Sequence, residues 1–202
     1  METNDGRSVY ILISKTSTMP SYFIKKWTKE PYAHTSLALD IELREMYSFA
    51  RKGMHNPFNC GFISEDIESG IFGRDVKTRC VVFELPVTVE QREKIIEELN
   101  KFKAYPEKYK YNYKGIFGVM INKAVERKYN YFCSQFVATV LKRAGVDILD
   151  KEPGLARPED FRRCTKLNVI YKGLLTNYRE YLEKYSGHLD EVIIRNENVL
   201  EA

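Results

Sequence analysis

The chain is 202 residues long, which suits a single domain with enough material for a sizeable core. Hydrophobic residues make up 44% of it and charged residues 30%, proportions that are typical of a soluble globular protein. The net charge of +4 is spread along the sequence, which permits weak attraction to an acidic surface but is ordinary for a solvated one. No run approaches the ~18 apolar residues that a membrane span needs, so no transmembrane segment is expected.

The cysteines and the N-terminal residues bear on cofactors and location. Cys60, Cys80, Cys133 and Cys164 lack the paired spacing of a zinc site, so no metal or other cofactor is expected. The polar N-terminus has no basic patch followed by an apolar stretch, which argues against a signal peptide. We therefore expect a cytoplasmic protein with reduced thiols.

The first part of the chain predicts strands with one short helix between them. Residues 8–14 form a short apolar run that predicts a buried strand, and apolar residues at helical spacing predict a helix over 18–29. Residues 33–40 and 44–51 both alternate in the manner of strands. The short polar link between them predicts an antiparallel hairpin.

The hairpin brings one histidine onto a face of small residues. Period-two alternation puts His34 and Ser36 on the same face. A turn centred on Glu42 would pair Ser36 with Ser48, so that the small-residue faces of the two strands coincide. A shift of one residue would bring Tyr47 to that face instead of Ser48.

The middle of the chain alternates between irregular and regular segments. Residues 53–76 are rich in Gly, Asn and Pro, which predicts an insertion that runs over the surface as a loop. Residues 80–86 predict a strand. A helix is predicted over 89–103, with Thr88 as its N-terminal cap.

Four tyrosines alternate with lysines over residues 105–113. Such interleaving can stack nucleic-acid bases. Because no further basic cluster accompanies it, we expect a packed, partly exposed connector and no nucleic-acid partner.

The remaining segments complete the predicted order of elements. Residues 113–127 are apolar with two glycines and predict a loose helix, and residues 157–161 predict the start of another helix, with Pro at an early position. A last strand is predicted over 167–171 and a final helix over 176–184. The tail from 187 to 202 is polar.

Cys133 opens the most regular helix of the sequence. The apolar residues that follow it recur at helical spacing, and Cys133 lies on the same stripe, so its side chain should face the body of the protein. Gly145 is a typical helix stop. A cysteine in the first helical turn feels the positive end of the helix dipole, which favours a thiolate. A cysteine on an apolar face is also an ordinary small core residue.

A cysteine hydrolase needs a thiolate and an imidazole within hydrogen-bond reach, and usually a third polar group that orients the imidazole. Cys133 could supply the nucleophile and His34 the base. The backbone N–H of Cys133 could hold the developing oxyanion.

Three segments carry a resemblance to a known family: HTSLAL at 34–39, FCSQFV at 132–137 and RPEDF at 157–161. Together they resemble the circularly permuted branch of the NlpC-type papain-like cysteine peptidases, which includes YiiX-like proteins and lecithin retinol acyltransferase-like enzymes. In that branch the histidine strand precedes the cysteine helix, as it does here. The resemblance implies an α+β fold in which an antiparallel sheet packs against the cysteine helix, in one domain spanning residues 1–202.

The resemblance also implies roles for individual residues. Cys133 would be the nucleophile and His34 the general base of a thiol hydrolase that cleaves an amide, peptide or ester bond. The family usually has His, Glu or another strong hydrogen-bonding group at the third position, where this chain has Ser48, with Tyr47 or Glu45 as alternatives. The same chemistry could serve an acyltransferase acting on lipid or amine acceptors, and a catalytically inactive relative would only bind ligand.

Overall fold

A computed structural model describes residues 7–15, 31–53, 56 and 59–185. The helix predicted over 18–29 and the polar tail from 187 lie outside these residues, as do His55 and His188. The described part is a mixed α+β structure built on one eight-stranded sheet.

The sheet is antiparallel except where its two shortest strands meet. Its strands are β1 (Ser8–Ser14), β2 (His34–Ala38), β3 (Met46–Arg51), β4 (Cys60–Glu65), β5 (Arg79–Pro86), β6 (Lys110–Tyr111), β7 (Asn130–Tyr131) and β8 (Asn168–Leu174). Their spatial order is β7-β6-β4-β3-β2-β1-β5-β8, and only β6 and β7 run parallel. The strands predicted over 8–14, 80–86 and 167–171 are confirmed as β1, β5 and β8.

The predicted hairpin is confirmed as β2 and β3. Leu37 lies opposite Tyr47 and Ala38 opposite Met46, which is the register set by a turn centred on Glu42. Pairing between the two strands is confined to this end of the hairpin, next to the turn. From Ser36 back to His34, β2 pairs with β1 and with no other strand of the described residues.

Four α-helices and a fifth helical segment accompany the sheet. They are α1 (Val89–Ala104), α2 (Tyr113–Met120), α3 (Cys133–Arg143), α4 (Pro158–Arg163) and α5, which is helical over 178–185. Thr88 caps α1 as predicted, through reciprocal hydrogen bonds with Gln91. Gly145 follows α3 with φ +75°, the left-handed conformation that ends helices and favours glycine.

Two apolar clusters hold these elements together. In the first, α1 and α3 pack on the sheet, and the rings of Phe49, Phe102 and Phe136 meet with centroids 5.1–6.0 Å apart. In the second, Met46 and other sheet residues pack against Tyr178 of α5. Since apolar burial is the main stabilising term in folding, the first cluster fixes α3 against β3 and against β2, the strand that carries His34.

The prediction that residues 53–76 form a loop was wrong in part. This segment contains β4, which lies inside the sheet between β3 and β6. Cys60 and Phe62 are buried, and β4 pairs with β3 along its whole length. The surrounding Gly, Asn and Pro residues concealed a short strand whose stability comes from its two neighbours.

No helix within the described ranges has both the length and the apolar composition needed to cross a membrane.

Candidate active site

His34 begins β2 and meets a carboxylate from β4. Its Nε2 atom lies 2.9 Å from Oε1 of Glu65, and both side chains are almost fully buried. The two residues are 31 positions apart in the chain, and the antiparallel arrangement of β2, β3 and β4 brings them together.

The pair has strongly perturbed proton affinities. Burial alone lowers the pKa of His34, but the charge of Glu65 and hydrogen bonds that the protonated ring donates to Cys133 and Glu65 outweigh it and raise the pKa to about 10. Burial raises the pKa of Glu65, but the charge and hydrogen bond of His34 outweigh it and lower the pKa overall. At neutral pH the two groups therefore form an ion pair.

Ser36 lies two residues after His34 on the same face of β2. Its hydroxyl donates to Oε2 of Glu65 at 2.5 Å and lies 3.2 Å from Nε2 of His34. Ser36 thus engages the carboxylate oxygen that the imidazole leaves free, which fixes the orientation of the carboxylate.

Cys133 approaches the same imidazole from the N-terminus of α3. The helix packs against both β2 and β3. Its first residue approaches His34 at the end of β2 that is not paired with β3. The thiol is buried, and it lies close enough to the imidazole to help raise the pKa of His34 through a hydrogen bond and its charge. Because Glu65 and Ser36 both lie at Nε2, the ring nitrogen left for the thiol is Nδ1.

Tyr111 on β6 completes the surroundings of the sulfur. Its hydroxyl donates a hydrogen bond to Cys133, and its pKa is raised well above 10.0 by burial and then by the charge of Cys133. Tyr111 is held in place because β6 pairs with β7, where it lies beside Tyr131.

A polar network fixes the start of α3. Oε1 of Gln135 accepts hydrogen bonds from the backbone N–H of Phe132 at 3.4 Å and from Nδ2 of Asn112 at 3.2 Å. Asn112 in turn caps α2 by accepting from the backbone N–H of Gly115 at 3.0 Å. The helices α2 and α3 are therefore held together next to Cys133.

The structure brings together two of the three predicted site residues. His34 and Cys133 meet, whereas the hydroxyl of Ser48 makes no hydrogen bond of normal geometry, and its proximity to Glu65 has the weakest effect on the pKa of that carboxyl. Tyr47 packs in the first apolar cluster, and Glu45 is exposed. None of the three candidates for the orienting residue takes the position that Glu65 occupies.

The sequence patterns did not point to Glu65 or Tyr111. Glu65 ends a short run that contains Cys60, Phe62 and Ile63, and these apolar residues were the available signal for a strand. Tyr111 belongs to a tyrosine-rich segment in which nothing distinguished it from its neighbours.

The other cysteines have different surroundings. Burial raises the pKa of Cys80 to about 12 and also raises that of Cys60. Cys164 is half-buried and donates to the carbonyl of Ile148. Among the described cysteines, Cys133 is the one that hydrogen-bonds an imidazole.

Comparison with known proteins returned no similarity: no protein-family model matches the chain, and no curated protein sequence matches it.

Proposed function

We propose that this protein is a cysteine hydrolase that cleaves an amide, peptide or ester bond through a thioester intermediate. The proposal rests on one observation: the thiol of Cys133 hydrogen-bonds a buried imidazole, His34, whose opposite nitrogen is held by the carboxylate of Glu65. Thiol hydrolysis requires a nucleophile that contacts a base, and a third group that orients the base from its other side.

In the first half of the reaction, the sulfur of Cys133 attacks the carbonyl carbon and a C–S bond forms. The tetrahedral intermediate collapses as the bond to the leaving nitrogen or oxygen breaks. His34, which holds the thiol proton, delivers it to the leaving group. In the second half, His34 takes a proton from water, the resulting hydroxide attacks the thioester, and the C–S bond breaks to release the acid and the thiol.

Two further groups support this chemistry. Glu65 keeps the imidazole oriented and stabilises its cationic form. The hydroxyl of Tyr111 and the backbone N–H of Cys133, in the first turn of α3, are donors close to the reacting carbonyl and can stabilise its oxyanion.

The proposed architecture is that of a permuted papain-like domain. An antiparallel sheet packed against the cysteine helix, with the histidine strand earlier in the chain, supports this assignment together with the motifs at 34–39 and 132–137. A cytoplasmic location belongs to the same proposal, and four free cysteines support it.

The test measures alkylation of Cys133 by iodoacetamide as a function of pH, with the modified residue identified by peptide mass spectrometry. We expect rapid labelling of the native protein well below the ~8.5 at which a free thiol ionises. Labelling at pH 6 should slow by at least about tenfold in His34→Ala and Glu65→Gln. Glu45→Gln, which removes an exposed carboxylate next to the hairpin turn, is the matched control and should leave the rate unchanged.

Turnover is then tested with a panel of peptide amides and acyl esters, and the thioester is detected as an acyl adduct by intact-protein mass spectrometry. Slow labelling that does not depend on His34 would contradict the proposal and leave a ligand-binding protein without catalysis.

A second candidate is an acyltransferase, in which an amine or alcohol replaces water in the second half of the reaction. The observation that favours it is an exposed apolar surface formed by Phe117 and Ile121. These residues follow along α2, the helix whose cap Asn112 hydrogen-bonds Gln135 of α3. Adding a primary amine or an alcohol during turnover of an acyl ester distinguishes the two candidates. A transferase gives mostly the acylated acceptor, whereas a hydrolase gives mostly the free acid.

A further inference from the structure

The helix α2 lies close to the body of the protein through two glycines. Gly115 and Gly118 are buried together with Val119. A Cβ atom added at Gly115 would collide with Asn112 and lie 3.1 Å from the ring of Phe132, and one at Gly118 would collide with the backbone carbonyl of Lys123. The close approach of the backbone therefore depends on glycine, while the opposite face of α2 carries large apolar side chains that stay exposed.

These outward side chains form what we call the α2 ridge: Tyr113, Phe117 and Ile121. Four-residue spacing places them in one line along the helix. Their exposed fractions are 36%, 68% and 72%, and Ile121 and Phe117 are the most exposed large hydrophobic residues of the described chain. Single exposed apolar residues are common on protein surfaces, but an aligned set of this size is typical of an interaction surface.

Positive charge is concentrated in the sequence segment that contains the ridge. Between Lys108 and Lys128 the sequence has six cationic side chains and one anionic one, a surplus of five where the whole chain has +4. All six cationic residues are exposed. Lys114 directly follows Tyr113, and Lys123 lies two residues after Ile121.

The ridge begins at the candidate active site. The ring of Tyr113 packs on that of Tyr111 with centroids 4.9 Å apart, and the Tyr111 hydroxyl donates to Cys133. One end of the ridge is therefore a single ring removed from the residues of the candidate active site.

We propose that the α2 ridge docks onto an anionic lipid bilayer, with Phe117 and Ile121 inserted at the level of the headgroups and the surrounding lysines on lipid phosphates. Apolar residues on one face with lysine and arginine around them are the combination that binds interfacially, at a depth of about 5–10 Å. Cations near such a surface are attracted by its negative potential. Net positive charge around the ridge selects an anionic bilayer over an uncharged one. This proposal does not depend on the hydrolase chemistry.

The first experiment measures co-sedimentation of the full chain with vesicles of phosphatidylcholine alone and of phosphatidylcholine mixed with phosphatidylglycerol. We expect binding to the anionic vesicles only. The partition coefficient of the double variant Phe117→Ser/Ile121→Ser onto anionic vesicles should fall by roughly tenfold or more, because the variant lacks the apolar surface that enters the bilayer. Val169→Ser is the matched control: Val169 is 59% exposed on β8, at the opposite edge of the sheet.

The second experiment tests the charge. Lys114→Glu/Lys123→Glu should lose most binding to anionic vesicles, and binding of the native protein should weaken with rising salt. Lys172→Glu, an exposed lysine on β8, is the control and should bind normally. All substituted residues are exposed, so thermal melts should match the native protein. Phe117→Trp tests insertion without loss of apolar surface. The fluorescence emission of this variant should shift to the blue when anionic vesicles are added.

Three outcomes overturn the proposal. The first is absence of vesicle binding, or binding that the ridge variants do not change. The second is a native dimer in light scattering that Phe117→Ser/Ile121→Ser converts to a monomer without any vesicle binding, which assigns the ridge to a second copy of the chain. The third is binding of a single-stranded RNA oligonucleotide, but not of vesicles, that Lys114→Glu/Lys123→Glu abolishes.

Discussion

His34 retains its proton although it is buried, because Glu65 lies 2.9 Å from its Nε2 atom. A buried charge is costly unless it is paired and hydrogen-bonded, and here Ser36 satisfies the second carboxylate oxygen. The imidazole is therefore fixed in position through Nε2, which leaves Nδ1 as the nitrogen available to Cys133. Ser48, by contrast, has a buried hydroxyl without such a partner.

Tyr111→Phe tests the donor to the sulfur. The substitution removes one hydroxyl and keeps the buried ring, so the structure should be preserved. Loss of one hydrogen bond to a charged group, about 1.5–3 kcal/mol, should slow alkylation of Cys133 at pH 6 by roughly tenfold or more. The measurement is the iodoacetamide rate constant of each protein.

Tyr113→Phe is the control for this substitution. Its ring packs on Tyr111, and its hydroxyl interacts with Cys60. Equal rates for the native protein and Tyr111→Phe would show that the Tyr111 hydroxyl does not stabilise the thiolate.

At the scale of the elements, α2 and α3 are held in a fixed relative position because the side chain of Asn112 hydrogen-bonds both helices. Its amide nitrogen donates to Gln135 in α3 and to the carbonyl of Val125, while its oxygen caps α2. Gly115 makes this contact possible, since any larger side chain would occupy the position of the Asn112 amide. The position of Cys133 at the start of α3 therefore depends on packing in α2.

Gly115→Ala should destabilise the protein even though alanine is the better helix former. The gain in helix propensity is about 0.5–1 kcal/mol, whereas overpacking and loss of the Asn112 hydrogen bonds cost about 1–3 kcal/mol or more. We expect a lower free energy of unfolding in urea and slower alkylation of Cys133.

Gly53→Ala is the matched control, because nothing lies within 4 Å of a Cβ atom added at Gly53. It should leave both the free energy of unfolding and the alkylation rate nearly unchanged. An equally stable Gly115→Ala protein would show that the Asn112 side chain moves without cost.

The element that local patterns predicted least well is β4. Its six residues begin with Cys60 and Gly61 after a segment rich in turn-forming residues. The backbone becomes a strand because β3 pairs with it from Met46 to Arg51, and that pairing involves residues distant in sequence. In contrast, α1 and α3 were predicted because their apolar spacing and terminal residues are local.

At the scale of the whole molecule, the ion pair should make stability depend on pH in two ranges. The folded pKa of His34 is raised from 6.5 to about 10, so its contribution is complete below pH 6.5 and is lost as pH rises towards 10. The folded pKa of Glu65 is lowered from 4.5, so its contribution is complete above pH 4.5 and is lost as pH falls through the folded value. The pair should stabilise the protein most between pH 4.5 and 6.5.

The measurement is the free energy of unfolding in urea across this pH range, for the native protein and for His34→Gln/Glu65→Gln. The two proteins should differ most in free energy of unfolding between pH 4.5 and 6.5, and the difference should shrink above and below this range. The remaining titratable groups are common to both proteins and cancel in the comparison. A difference that is constant with pH would show that the two groups do not form an ion pair in the folded protein.

The sequence by itself determined the helix that Cys133 opens and the hairpin that carries His34, because each depends on apolar spacing, caps or turns within a few residues. It left two registers of the hairpin open, and the observed strand pairing decided between them. Only the tertiary structure decided that Glu65 holds the imidazole and that Tyr111 meets the thiol. These contacts join residues from separate strands and a helix, and Glu65 reaches His34 only because β4 is paired into the sheet. Long-range pairing leaves little local pattern, so the short motifs that carry the family resemblance pointed to Cys133 and His34 but not to the residues that contact them.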